Sequence, residues 1–320
     1  MGLPTAFCLP RMGGTHVKAL GAGERPMAVA RRGRLHTDRM AKYIFIVPGV
    51  IWVLVFTIFP LVYSLRESFF ESYLDLPEHF VGVANFARAF GDYQFWEALR
   101  ITVILVVSSV SCTIVLGLAL ALLFHQNIRG IRVLRALFTL PLFATPVAIG
   151  YLGIIIFSSD NGPVNALLRT FGLKGVPWLD TGTGSLAAVA LTDIWQWTPF
   201  CLIVFLAALQ GLPDDLYEAA RLDTSSRWQM FWRVTLPLIA PTVLTVVILR
   251  IVEAFKIVDI PFSLTGGGPG ISTRTYSFFI YIEGLRYIDP GYASALAYLG
   301  LVLVLVVATI YFARTREVFD

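Results

Sequence analysis

Long apolar runs alternate with shorter polar segments along most of the chain. We identify six runs, each close to the roughly 20 residues that a helix needs to cross the hydrocarbon core of a bilayer. Their approximate bounds are 43–65, 100–123, 135–157, 186–209, 237–258 and 291–313. Only helices and closed barrels satisfy the backbone in lipid, and runs of this length without strict alternation favour helices. The pattern predicts an all-α, polytopic membrane protein with six transmembrane helices.

Composition and charge placement support this topology. The chain is 57% hydrophobic and 14% charged, whereas soluble domains contain roughly 25% charged residues. Lysine and arginine concentrate before span one, after spans two and four, and in the tail. By the positive-inside rule, both termini and the segment after span four face the cytoplasm. Because the basic residues are dispersed, the net charge of +4 reflects topology and indicates no nucleic-acid partner.

Several local features refine the expected organisation. Residues 1–40 are rich in Gly, Pro and Arg, so we expect a disordered, basic cytoplasmic segment before a transmembrane domain at 41–320. The first outer segment contains Asn85-Phe86 and Phe95-Trp96-Glu97-Ala98-Leu99, which we expect to form short interfacial helices. Pro141 and Pro146 predict a kink or an unwound turn in span three.

Span four opens with polar groups among tryptophans. These residues are Asp193, Trp195, Gln196, Trp197 and Pro199. Near an outer boundary, such a cluster forms either an interfacial aromatic belt or part of a binding cavity. We take Trp195 and Gln196 as candidates for a substrate path.

Span five carries four charges at steps of three residues, namely Arg250, Glu253, Lys256 and Asp259. At 1.5 Å per residue, Arg250 lies about 20 Å beyond Pro237. Charges at this depth usually face a bundle interior or a water-filled path, so all four are substrate-path candidates. Alternatively, they pair along one helix face, or Arg250 snorkels while the last two charges lie at the outer interface.

A polar segment of about two dozen residues, 211–237, separates spans four and five. A loop that only reconnected two helices could be much shorter. Its pattern predicts two short amphipathic helices and a stop at Pro237. Such helices either dock into a groove of a partner protein or lie on the lipid surface.

A glycine-rich run follows span five, Leu264-Thr265-Gly266-Gly267-Gly268-Pro269-Gly270. It will not stay helical, and it lacks the Lys-Ser/Thr pair of a phosphate loop. We interpret Gly266, Gly267, Gly268 and Pro269 as a periplasmic turn that lets the backbone approach another chain or a ligand. The sequence has no GxxxxGK[ST] motif and no metal-binding or nucleophile–base signature. We therefore expect no catalytic residue, metal or cofactor in this chain.

The spacing within the polar segment resembles the EAA loop of binding-protein-dependent ABC import permeases. Glu218-Ala219-Ala220 is followed by three residues, Thr224, nine residues, Val234, Thr235 and Leu236-Pro237. The stretches Trp197 to Tyr217, Glu253 to Asp259, Leu264 to Gly270 and Gly162 to Asn165 are also similar to those of sugar-transport permeases. The resemblance covers about residue 40 to the C-terminus. It is strongest to the shorter permeases of the maltose and glycerol-phosphate uptake class.

This resemblance implies the type I ABC importer permease fold, in the bacterial inner membrane. It implies a path shared with a second, usually non-identical permease, for a sugar or sugar derivative delivered by an extracytoplasmic binding protein. ATP and Mg would be bound by two separate ATPase subunits, and membrane lipid would surround the spans. The residues implied to couple to the ATPase are Leu216, Tyr217, Glu218, Ala219, Ala220, Leu222, Asp223 and Thr224.

Thr224 is a departure from the family pattern, which usually has Gly at this position. Gly permits the bend between the two short helices. We expect the bend to survive because Asp223, Thr224 or Ser225 can cap a second helix that begins near Ser226.

Two other functions are compatible with a polytopic chain. In an ion-gradient-driven secondary transporter, Arg250, Glu253 and Asp259 would be coupling-ion residues. Such carriers commonly contain inverted repeats, and the two halves of this chain show no repeat. A non-transporting membrane scaffold would not require charges inside the membrane.

Overall fold

The computed structural model describes residues 32–71, 78–126, 129–223 and 226–315, without the side chains of 32–42, 214, 219, 222 and 223. The α-helices in these ranges are α1 Arg32–Val53, α2 Phe59–Glu67, α3 Ala84–Gly91, α4 Tyr93–Phe124, α5 Ile131–Thr139, α6 Pro146–Ile156, α7 Pro163–Thr170, α8 Gly182–Gln210, α9 Asp214–Asp223, α10 Arg227–Met230, α11 Leu236–Phe255, α12 Tyr276–Tyr281 and α13 Pro290–Thr315. Helical turns of other types cover Leu54–Ile58, Leu140–Phe143, Phe231–Thr235, Pro261–Thr265 and Ile282–Arg286. Strands β1 (Phe70–Glu71) and β2 (His79–Phe80) pair antiparallel, with Phe70 opposite Phe80.

Five continuous helices are long and apolar enough to cross a membrane, and a bent pair supplies a sixth span. The continuous spans are Tyr43–Glu67, Tyr93–Phe124, Gly182–Gln210, Arg227–Phe255 and Pro290–Thr315. The sixth is Ile131–Phe143 followed by Pro146–Ile156, bent by 102°. Six spans and a break in span three are therefore confirmed.

The predicted bounds differ from the structure at two places. Phe95 to Leu99 do not form a separate interfacial helix, because α4 begins at Tyr93 and continues through them; Asn85 and Phe86 do lie in a short helix, α3. At the N-terminus, α1 begins at Arg32, inside the segment expected to be disordered, and residues 1–31 lie outside the described residues.

The chain divides into two compact units, with the boundary after Phe59. In the first unit, α1 exposes large apolar side chains, including Phe45 at 84% and Trp52 at 65%. Side chains of this kind are stable when lipid or another chain covers them. The second unit contains all the other helices and the site residues.

The core of the second unit forms where α4 packs on α8. Gly117 of α4 lies directly against Cys201 of α8, so even a methyl group at position 117 would overlap it. Ala121 and Phe205 are fully buried in the same cluster. Small residues at a helix interface let two membrane helices approach closely, which increases van der Waals contact where no hydrophobic driving force operates. This contact fixes α8 relative to its neighbours.

A polar clamp holds the end of the bundle opposite the Glu218 segment. Arg88 of α3 pairs with Asp289 at 2.7 Å, and its guanidinium carbon lies 3.9 Å from the ring centroid of Tyr292. The Tyr292 hydroxyl donates to Asp92 at 2.9 Å, and Asp92 also caps α4 by accepting from the Gln94 amide. The clamp joins α3, the start of α4 and the start of α13.

Candidate functional site

The polar segment between spans four and five contains two helical stretches, as the sequence predicts, but the second continues without a sharp bend from Arg227 to Phe255. The first is α9, and the second begins with α10, at Arg227 after Ser226. The predicted stop at Pro237 is therefore wrong, because a proline in the first turn of α11 is compatible with a helix. The Ser226 hydroxyl accepts from the Gln229 amide at 3.5 Å, so Ser226 itself caps α10. The expectation that Asp223, Thr224 or Ser225 provides the cap is therefore wrong by one residue or more.

The α9 side chains that the structure describes are largely accessible. Glu218 is exposed and forms no ion pair with another described residue. Leu216 is 41% exposed, and Tyr217 and Ala220 are partly buried. The side chains of Ala219, Leu222 and Asp223, and the whole of Thr224, lie outside the described residues. The helix thus presents an exposed apolar residue and, two positions on, an exposed carboxylate with no ion-pair partner among the described residues.

A buried ion pair joins α8 and α11 inside the bundle. Arg250 Nη2 donates to Asp193 Oδ2 at 2.6 Å, and the two side chains are 0% and 1% exposed. Within the apolar interior the carboxylate stabilises the guanidinium charge, which would otherwise carry a large desolvation cost. The predicted partner of Arg250 along its own helix, Glu253, is therefore the wrong one.

Neighbouring groups extend this pair into a network. The Ser109 hydroxyl of α4 donates to Asp193, and Arg250 Nη2 lies 3.3 Å from Ser109 Oγ. The Arg250 guanidinium carbon lies 4.8 Å from the ring centroid of Trp197, within the range of a cation–π contact. Nε and Nη1 of Arg250 have no hydrogen-bond partner among the described residues. Three spans, α4, α8 and α11, therefore meet at one charged centre.

The break in span three lies next to this centre along α8. Gln196, which is 4% exposed, donates from Nε2 to the backbone carbonyl of Ala144 at 3.3 Å. Ala144 follows the 3₁₀ turn and Thr145 precedes α6, so the bond satisfies a carbonyl that the interrupted helix leaves free. Gln196 Oε1 has no partner among the described residues.

Two apolar cavities flank the broken span, and Trp195 lines both. The larger, about 730 Å³, lies between α4, the segment from α5 to Pro141, and α8. The smaller, about 270 Å³, lies between α6 and α8. Trp195 is 50% exposed, whereas Gln196 and Asp193 are buried. The polar cluster of span four is therefore divided between an accessible tryptophan and an enclosed polar network.

The outer charges of span five are arranged differently from Arg250. Lys256 Nζ pairs with Glu253 Oε1 at 2.9 Å, with the side chains 59% and 42% exposed. α11 ends at Phe255, so Asp259 lies beyond it, on a separate turn. The expected ladder of four charges along one helix face is therefore wrong beyond the pair Glu253–Lys256. Substrate contact by these residues stays a prediction.

The glycine-rich turn packs against the chain itself. Gly267 has φ +92°, and a Cβ there would lie 3.0 Å from the Phe278 ring. The preceding turn lies against α6, where a Cβ on Gly153 would come within 2.8 Å of Leu264. Thr273 Oγ1 donates to the Gly268 carbonyl at 3.1 Å, which closes the loop. The close contacts of this run that the structure describes are within its own chain, and an approach to another chain or a ligand stays a prediction.

Comparison with known proteins decides the family. Residues 113–317 match the family described as the binding-protein-dependent transport system inner membrane component. The chain belongs to this family. The match includes the polar segment at 211–237, the Asp193–Arg250 pair and the glycine-rich turn, whereas Ser109 lies just before it.

Relatives and solved structures agree with this assignment. The permease is 33% identical over 287 residues to the sulfoquinovosyl glycerol transport system permease protein SmoG of Agrobacterium fabrum, covering 88% of this chain and 92% of the relative. It is 34% identical over 270 residues to the trehalose/maltose transport system permease protein MalF of Thermococcus litoralis, covering 84% and 91%. A chain of a bacterial alginate ABC transporter, solved with an alginate pentasaccharide-bound periplasmic protein, matches with a TM-score of 0.78 and 25% identity, covering 90% of this chain and 98% of that one.

These comparisons confirm an ABC importer permease with the type I fold, and they set aside the ion-gradient-driven carrier. The permease is a multi-pass membrane protein and a transport subunit. Arg250, Glu253 and Asp259 are consequently not the coupling-ion residues of a secondary transporter.

Sequence reasoning missed the partner of Arg250. Asp193 stands out as an acidic residue in an apolar run, which is a sufficient signal that it needs a cationic partner. Ser109 gave no such signal, because a serine in a membrane span commonly bonds to its own helix.

Proposed function

We propose that this permease forms, with a second permease, the membrane path by which a sugar or sugar derivative enters a bacterial cell. The Glu218 segment and both termini face the cytoplasm, where two ATPase subunits bind ATP and Mg and drive the cycle. An extracytoplasmic binding protein delivers the substrate at the opposite end. The two permeases are non-identical, as the resemblance implies.

The geometry of α9 is the observation that carries this proposal. α9 is connected to two membrane-spanning helices, its Leu216 is 41% exposed, and its exposed Glu218 forms no ion pair among the described residues. A short helix with apolar anchors suits a groove on another protein. We assign that groove to the ATPase, with a basic side chain opposite Glu218.

The assignment of a sugar substrate draws on the relatives and on the site. SmoG and MalF are named for sugar compounds, and the alginate transporter structure includes an oligosaccharide. Trp195 offers an accessible indole beside the two cavities, and aromatic faces stack well on sugar rings. We place the path along this side of α8, with Gln196 and the break in span three close by.

The two cations of span five, Arg250 and Lys256, are both already paired with carboxylates of this chain. Asp193 compensates Arg250, and Glu253 compensates Lys256. Neither cation is free to neutralise an anionic substrate unless its own pair opens. In this proposal, the charged residues of span five shape the path and make it polar without binding the substrate by charge; they are Arg250, Glu253, Lys256 and Asp259.

Glu218→Lys tests the coupling role. In the reconstituted complex with its ATPase, second permease and binding protein, we expect the substitution to abolish substrate-stimulated ATP hydrolysis, because a basic partner would repel it. Glu218→Gln, which removes the charge without reversing it, should lose less. Asp160→Lys, at an exposed carboxylate outside α9, is the matched control and should keep the normal rate. A normal stimulated rate in Glu218→Lys would refute the docking role of α9.

A further inference from the structure

The helix that enters span five is longer than the hydrocarbon core requires. It runs without a sharp bend from Arg227 to Phe255, 29 residues, or about 43 Å at 1.5 Å per residue. The 20 residues of α11 correspond to about 30 Å, which is the thickness of the hydrocarbon core. Residues 227–235, which we name the aromatic arm, therefore extend beyond the core if α11 fills it.

Three aromatic rings form a cluster on the aromatic arm. The ring centroids of Trp228 and Trp232 are 5.6 Å apart, and Phe231 lies 5.3 Å from Trp232 and 6.2 Å from Trp228. The two tryptophans are nevertheless 69% and 51% exposed. Their outer faces are too large and too apolar to be left in water without cost.

Two cations flank this cluster. Arg227 and Arg233 are exposed, and neither forms an ion pair with another residue in the described part of the chain. Tryptophan together with arginine is the composition of a membrane–water interface, where the indole lies at headgroup depth and the cation meets lipid phosphate.

We propose that the aromatic arm is anchored in the headgroup layer of the bilayer and that Arg227 and Arg233 bind anionic phospholipid there. Trp232 precedes Leu236 by four residues, so it lies about 6 Å outside the hydrocarbon core. The headgroup layer on each side is about 5 to 7 Å thick, so the indole falls within it. Continuity with the spanning helix, together with two exposed cations that form no ion pair within the described part of the chain, selects lipid as the occupant in preference to a protein groove.

This inference goes beyond the transport proposal and does not depend on it, because it requires only that α11 spans a bilayer. It gives the two halves of the coupling segment different surroundings. α9 carries an exposed carboxylate, Glu218, whereas the aromatic arm is fixed to the membrane surface.

Tryptophan fluorescence with brominated lipids tests the anchor. The full chain is placed in nanodiscs of phosphatidylcholine and phosphatidylglycerol whose acyl chains carry bromine close to the headgroup. The fluorescence of Trp228 and Trp232 is obtained as the difference between the wild type and the double variant Trp228→Phe plus Trp232→Phe. These lipids should quench this fluorescence at least about twofold more strongly than aqueous acrylamide does. Trp178→Phe is the matched control, since Trp178 packs on Phe157 in a loop, and its emission should not show this preference. If the double variant inserts poorly, each single variant gives the same comparison.

The arginines are tested by changing which lipid carries bromine. Brominated phosphatidylglycerol should quench the arm about twofold or more better than brominated phosphatidylcholine, and Arg227→Gln plus Arg233→Gln should remove that preference. Arg221→Gln on α9 should leave it unchanged. Quenching by acrylamide alone, or by neither agent, would place the arm in water or against protein and overturn the anchor. A phosphatidylglycerol preference that survives loss of both arginines would overturn their role.

Discussion

Replacing Asp193 with asparagine should destabilise the permease far more than its single-atom change suggests. Asparagine keeps the shape of the side chain and an oxygen that can accept from Arg250. It removes the negative charge that balances a guanidinium with no exposed surface. The arginine cannot reach water without opening the contacts between α4, α8 and α11.

The expected magnitude follows from that burial. Removing one partner of a buried ion pair costs about 3 to 5 kcal/mol, because the remaining charge is uncompensated. The loss of an interhelical hydrogen bond in a membrane would alone cost only about 0.6 kcal/mol on average. Asp193→Leu combined with Arg250→Met removes both charges, so it should recover most of the lost stability.

Unfolding by SDS titration in mixed micelles measures these free energies of unfolding. The wild type, Asp193→Asn, Asp193→Leu, Arg250→Met and Asp193→Leu plus Arg250→Met would be compared, so that the last three close a double-mutant cycle with the wild type. Glu253→Gln is the matched control, because Glu253 belongs to the exposed pair with Lys256 and should cost at most about 1 kcal/mol.

Two results would refute this reasoning. One is a loss below about 1 kcal/mol in Asp193→Asn, which would mean that Arg250 is already hydrated or paired elsewhere. The other is additive losses in the double variant, since residues in one buried network should show a coupling energy of about 0.5 to 3 kcal/mol.

Three further substitutions test the packing and the pH response of the second unit. Gly300→Ala should lower the stability of the fold by about 1 to 3 kcal/mol, because its Cβ would lie 2.6 Å from the buried Tyr276 ring. Gly153→Ala should lower it less, since the obstructing Leu264 methyl is the end of a flexible side chain. Thermal unfolding in detergent compares the two variants. Burial raises the pKa of the Glu283 carboxyl above its ordinary value, so its stabilising contribution is complete below the unfolded pKa of about 4.3 and is lost as the pH rises through the folded pKa. Glu283→Gln should accordingly stabilise the protein at neutral pH and lose this advantage in acid, and a constant difference across pH would contradict that origin.

Much of the fold can be predicted from local sequence. An apolar run of about 20 residues must be a helix in lipid, and this condition involves no other part of the chain. Pro141 and Pro146 mark the broken span for a similarly local reason, because proline lacks the amide that the helix requires. The size of the bend in span three, 102°, cannot be predicted in this way, because it depends on what packs against each half of the span.

The helices of the polar segment at 211–237 were also predictable, apart from the cap of the second one and the stop expected at Pro237. The order of small, apolar and acidic residues around Glu218 indicates two short helices. Which hydroxyl caps the second one depends on the backbone angles at Ser226, where φ is −81° and ψ is 119°. By residue type alone, several neighbouring side chains could cap this helix equally well.

What the sequence alone determined is therefore the set of membrane spans, the polar segment between spans four and five, and the family resemblance, because each is encoded in spacing or in a continuous run. Only the tertiary structure decided that Arg250 is enclosed and that its partner is Asp193, 57 residues away along the chain. The charge at i+3, Glu253, is closer in sequence but lies on an exposed part of α11, paired with Lys256. A buried cation pairs with the carboxylate that helix packing places next to it. Which carboxylate this is depends on how α8 and α11 are rotated against each other.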